Sequence, residues 1–252
     1  MTTRRQPEVL ERGDIFFLYR PAVEEEEPKG LVDVQRFFMV LRPEGETKFR
    51  LLVIGRKRLP DVGEHERFWG FVDRVEDSAE ALERSLRASE YETKTRGERH
   101  EPAVRRAGEG VYAITLEAGQ MHLSYALELP EHPSDVQRAF KIAPEASFAL
   151  SIKNPEASTP PGVGLPEDRK AEFPEELMAE FRDRRFERED VRMLDYPGAE
   201  FILVGARLNP ESAYGVELPA EEEDNERAEI IRDLRMTKSQ HPVKPLFEGK
   251  WE

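Results

Sequence analysis

Apolar positions in the first third of the chain come in short runs of strand length, each closed by a glycine, a proline or a group of charges. The pair Gly13-Asp14 supplies a turn, and residues 15–20 then predict an aromatic-rich strand that stops at Pro21. Residues 35–41 and 48–54 predict a second and a third strand around the turn Pro43-Glu44-Gly45-Glu46, and residues 68–75 a fourth. The acidic stretch 24–27 between two prolines has nothing to bury and reads as a solvated loop. Four strands in one stretch imply a meander sheet or small barrel.

The period then changes. Asp77 followed by Glu80 has capping-box spacing, and Ala79, Leu82 and Leu86 repeat on one helical face. Residues 90–110 are dominated by charges and turn formers, including Gly97, Pro102 and Gly108, and read as a linker. Strands resume at 111–116, 123–129 and 148–152, followed by a Pro/Gly-rich loop over 154–174 of the kind that serves as a lid or binding loop. Pro174 suits a helix start, with Leu177, Met178 and Phe181 turned inward, and residues 201–204 predict a short buried strand. A last helix is expected over 220–236, acidic at its start and basic at its end, with a tail whose Phe247 and Trp251 dock on the body. The fold class expected is α+β: two β-rich lobes, residues 1–95 and 96–252, each a meander or small barrel-like sheet with a few packing helices.

Composition narrows the classes of function. With 252 residues and 38% hydrophobic content the chain can bury a core, and 36% charged residues give it a dense ionic surface. It contains no cysteine, which removes disulfides, thiolate nucleophiles and sulfur-ligated zinc. With no signal-like apolar stretch at the amino end, the expected location is the cytoplasm. A net charge of −14 repels phosphate backbones, so nucleic acid is an expected partner only through a local basic patch. The other expected partners are a protein or a small-molecule ligand, and no run is long enough for a membrane-spanning helix.

One segment recurs. Asp33-Val34-Gln35-Arg36 returns as Asp135-Val136-Gln137-Arg138, each time after a strand and a proline and before a Pro-Glu pair and another strand. This order reads either as an internal duplication or as a chance tetrapeptide match. As a duplication it would make Arg36 and Arg138 symmetric anion contacts, oriented by Asp33 and Asp135; otherwise each is a local Asp-Arg pair at a turn.

Signatures of catalysis are missing. The histidines His65, His100, His122, His132 and His241 stand singly, so no metal and no cofactor are expected. There is no Gly-x-Ser-x-Gly elbow, and the carboxylates are too many to single out a pair, so no catalytic residue is assigned. Gly55-Arg56-Lys57-Arg58 leads into Leu59-Pro60 rather than a helix, which argues against a phosphate cradle. Arg56, Lys57 and Arg58 form a basic patch near the aromatic strand carrying Phe68, Trp69 and Phe71, the arrangement that holds stacked bases, or else a charged loop on a core sheet; His65, in the dense group Glu64-His65-Glu66, is a further ligand candidate or part of a solvated turn. A hydrolase-type site between the halves would need Arg36, Arg138, His65 and His122 around one cleft.

Gly13-Asp14 opening an aromatic strand, with Gly70-Phe71-Val72 later in a sheet, resembles the small β-barrels of the PUA and EVE type, a resemblance that implies binding of RNA or modified bases. The second half, with residues 147–155 and 194–200 ahead of a short buried strand, looks like a family of bacterial proteins without assigned activity. The function expected from all of this is binding rather than catalysis.

Overall fold

The structure, a computed structural model, describes residues 7–93, 97–159, 163–208, 218 and 244–251. Eleven strands form: β1 (Glu8–Pro21), β2 (Val34–Pro43), β3 (Phe49–Ile54), β4 (Arg67–Glu76), β5 (Ser89–Thr93), β6 (Gly97–Glu101), β7 (Arg105–Glu117), β8 (Gln120–Leu129), β9 (Glu145–Lys153), β10 (Phe186–Glu187) and β11 (Glu200–Arg207). Four short helices accompany them: α1 (Ala79–Leu86), α2 (Asp135–Phe140), α3 (Glu175–Glu180) and α4 (Lys244–Phe247).

Eight strands close into one antiparallel barrel in the order β9-β11-β4-β3-β2-β1-β7-β8, and β8 pairs back onto β9. β10 extends β9, and β5 and β6 form a separate hairpin. The fold is therefore mainly β, and the two lobes expected from the sequence do not exist as separate sheets. β7 from the later segment pairs with β1, and β11 pairs with β4, so both halves build one ring.

The ring interior is filled by side chains. Along β1 the inward set Ile15, Phe17 and Tyr19 belongs to the main core, while Phe16 and Leu18 belong to a second apolar layer outside. Burial on both faces explains why β1, β2 and β3 read as continuous apolar runs rather than alternating ones. Eight strands leave an interior just wide enough for side chains. At one end α2 stops the barrel, with Phe140 stacked 4.8 Å from Phe37 and 5.1 Å from Tyr19. Trp251 packs on Tyr19 and Phe140, so this part of the tail is docked. At the other end the 3-10 turn Val191–Asp195 inserts Met193 and Leu194, and Leu177 and Phe181 lie behind them. The outer layer of β1 to β3 is covered by α1 through Leu82 and Leu86, each burial worth roughly 1.5–3 kcal/mol.

Three further expectations change. The 90–110 linker is the β5–β6 hairpin and the start of β7, where Arg105, Arg106 and Glu109 are buried. Reading charge as exposure misassigned it. The recurrent tetrapeptide takes two conformations: Asp33 ends a 3-10 turn and Val34, Gln35 and Arg36 open β2, whereas Asp135-Val136-Gln137-Arg138 lies within α2. Ser134 and Gln137 close a capping box that fixes the helix, so the match is no structural duplication. The α1 cap is Ser78, which accepts from the Ala81 amide, rather than Asp77. The helix expected over 220–236 and His241 lie outside the described residues. No helix among those described is long and apolar enough to cross a membrane.

Candidate functional site

β4 alternates strictly around its middle. Phe68 and Val72 join the core, so Arg67, Trp69, Phe71 and Asp73 fall on the outer face. Gly70 shares the inward set and is required there, since a Cβ would lie 2.4 Å from the Phe201 ring. Its absence of side chain lets β4 and β11 pack closely, with Glu200 opposite Phe71 and Ile202 opposite Trp69.

Above this face runs part of the Pro/Gly-rich loop. Glu200 holds it there: one carboxylate oxygen accepts from the Leu165 amide at 3.0 Å, and the other lies 3.0 Å from the Lys153 ammonium. Gly164 has φ +93, and a Cβ on it would come within 2.5 Å of the Glu200 carboxylate. Only glycine permits this approach without strain.

The result is a cleft of about 590 Å³ lined by Arg56, Arg67, Trp69, Phe71, Val163 and Glu200 among others. Arg56 and Arg67 are exposed, and neither guanidinium forms a hydrogen bond or ion pair with another described residue. Trp69 is half-buried, with its ring 6.1 Å from that of Phe186. Two cations without partners among the described residues, beside an indole, suit a ligand that pairs a flat apolar group with an anionic one. A second cleft of about 420 Å³ shares Phe71 and Leu165 with the first and is lined further by Asp73, Asp168, Arg169, Glu172 and Tyr196. Arg169 lies 5.7 Å over the Phe71 ring and 3.8 Å from Asp73.

Of the residues singled out in the sequence, Arg56 and Trp69 line the first cleft together. Arg58 instead grips Glu66 with both terminal nitrogens, at 2.6 and 2.9 Å, and stacks over Phe68. That bond holds the Glu66 carboxyl below its usual pKa. Lys57 donates to the Val34 carbonyl, and His65 Nδ1 donates to the Gly205 carbonyl at 2.9 Å. Arg36 is exposed on β2 opposite Arg20, and Arg138 pairs with Asp135 at 2.7 Å on the surface of α2. His122 stands on β8, where burial lowers its pKa. Arg36, Arg138, His65 and His122 thus occupy four different elements. Among the described residues no group of three or more histidines and carboxylates could hold a metal ion.

Sequence reasoning missed Arg67, Glu200 and Lys153. The alternation of Arg67-Phe68-Trp69-Gly70-Phe71-Val72-Asp73 carried the signal for the first. The buried pair carried none, since its partners are 47 positions apart.

A second ionic group closes the far end of the barrel. Glu11 accepts from both Arg50 and the Tyr112 hydroxyl at 2.6 Å, and Asp195 accepts from Arg50 at 2.7 Å and Lys48 at 2.8 Å. Burial opposes the Arg50 charge, but Glu11 and Asp195 outweigh it and raise its pKa. Burial and the Glu11 charge push the Tyr112 phenol well above its usual value. With Arg50 held by both carboxylates, this group reads as a clamp between β1, β3 and the turn before β11 rather than a vacant site. Comparison with protein-family models, curated proteins and solved structures finds no match.

Proposed function

We propose that this chain is a cytoplasmic binding protein whose ligand, a flat apolar or aromatic group bearing an anion, sits in the cleft on the outer face of β4. The observation that carries the reading is Arg56 and Arg67, whose guanidiniums have no partner among the described residues, beside the half-buried Trp69. A ring would lie against Trp69 and Val163, and its carboxylate or phosphate would meet the guanidiniums, where charge-assisted bonds are strongest. Leu165, fixed by Glu200, supplies a preformed wall, which lowers the ordering cost of binding. With so acidic a chain, a paired-cation site is where an anion meets least repulsion.

The chain has two tryptophans, so Trp251→Phe leaves Trp69 as the sole indole reporter. Titrating that variant with aromatic carboxylates and nucleoside monophosphates should change Trp69 emission saturably. Arg56→Ala and Arg67→Ala should each weaken binding about tenfold. An unresponsive Trp69 across the whole series rejects the reading.

A further inference from the structure

Resting on that reading, we infer that the two clefts form one polarised groove that takes an extended peptide, acidic at one end, apolar in the middle and basic at the other. The outward residues of β4 run in the order Arg67, Trp69, Phe71, Asp73: cation, ring, ring, anion. The two ends are reinforced from outside the strand. Arg56 joins Arg67 at one end of the groove, and Asp168 and Glu172 join Asp73 at the other, where the two cations of the lining are engaged, Lys170 by Glu167 at 2.6 Å and Arg169 by Asp73 at 3.8 Å.

Six strand positions separate Arg67 from Asp73, a span of about 20 Å. That length exceeds a single amino acid or nucleotide and matches an extended peptide of about seven residues. Side chains at alternate peptide positions would then face Trp69 and the edge of Phe71 that the Arg169 guanidinium, 5.7 Å over its ring, leaves open, as they do in extended recognition on a sheet. A polyanion fits poorly, because its charges would continue past the arginines onto Asp73, Asp168 and Glu172. Neither Asp168 nor Glu172 pairs with a cation among the described residues, so both are available to a basic side chain. Asp73 shares its charge with Arg74 at 3.2 Å and Arg169 at 3.8 Å, which leaves the two loop carboxylates as the stronger attraction.

The test uses the full chain and three fluorescein-labelled peptides of seven residues. Each has leucine at its third and fifth positions and serine between; the terminal residues are lysine and glutamate, two glutamates, or two lysines. Fluorescence anisotropy should rank the lysine–glutamate peptide about tenfold tighter than the doubly acidic one. The exposed double substitution Asp168→Lys with Glu172→Lys should invert that order. Equal or tighter binding of the doubly acidic peptide, or of a short single-stranded oligonucleotide, by the unaltered protein overturns the inference. If aromatic carboxylates still bind in an Arg56- and Arg67-dependent way, only the extended groove fails. If they do not bind either, the underlying site fails with it.

Discussion

The ammonium of Lys153 lies 3.0 Å from the carboxylate of Glu200, and the two side chains are 0% and 4% exposed. Removing one charge strands the other away from water, a more costly state than replacing both. Glu200→Gln should therefore lower unfolding stability by on the order of 3 kcal/mol. Lys153→Met with Glu200→Leu should recover much of that loss. Denaturant unfolding of the three proteins decides it, and a Gln variant as stable as the parent would show that the pair is not sealed from solvent.

Gly70 is the point where β4 packs most tightly against its neighbours. Adding a methyl group sets it 2.4 Å from the Phe201 ring and 2.7 Å from the Val53 carbonyl. Gly70→Ala should cost about 1–3 kcal/mol through overpacking. Because β4 would have to shift outward, ligand affinity at Trp69 should fall as well. Thermal unfolding and the Trp69 titration read the two effects separately.

The buried phenols set an alkaline limit. Burial raises the pKa of Tyr112 and Tyr125 above that of an unfolded tyrosine, near 10. Between the unfolded and folded values the unfolded chain has lost protons that the folded one keeps, so stability is full below pH 10 and falls above it. Each group should contribute a slope of about 1.4 kcal/mol per pH unit. Tyr125→Phe should reduce the slope measured between pH 10 and 11 by roughly 1 kcal/mol per pH unit, with Tyr112 and Lys48, whose pKa is also raised, carrying the remainder. Identical slopes in parent and variant would contradict this.

Trp251 closes the barrel end with rings at 5.6 Å from Tyr19 and 5.5 Å from Phe140. Trp251→Ala should cost on the order of 3 kcal/mol. Limited proteolysis should then cut near the carboxyl end sooner than in the parent. Unchanged proteolysis would mean the indole contributes little to holding the tail.

The strands were legible where the chain is apolar on both faces, as in Ile15 to Tyr19 and Phe37 to Leu41, because such runs have few other uses. Barrel closure was not legible. It depends on β8 meeting β9 and β11 meeting β4, and those pairings are set by the register of distant segments. The β5–β6 hairpin was hidden by its charges, and buried Arg20 shows why charge misleads. It donates to the carbonyls of Ser85, Arg87 and Pro102, and burial lowers its pKa against the opposing charge of Glu101, 3.3 Å away. Of the basic triplet, Arg56 lines the candidate cleft and its two neighbours are engaged elsewhere. Arg58 is held by Glu66 and Lys57 by a backbone carbonyl, while Arg67, beyond the loop, lines the cleft.

The order in which segments enter the barrel imposes an order on its assembly. The meander of β1 to β4 is complete at residue 76, but β4 has only one neighbour until residues 200–207 arrive to form β11. During synthesis β4 is an open template for more than a hundred residues of elongation, exposed to whatever extended chain is nearby. Chaperone dependence, if this protein has any, should act on that half-finished edge, and release of a nascent chain ending before β11 should leave it prone to self-association.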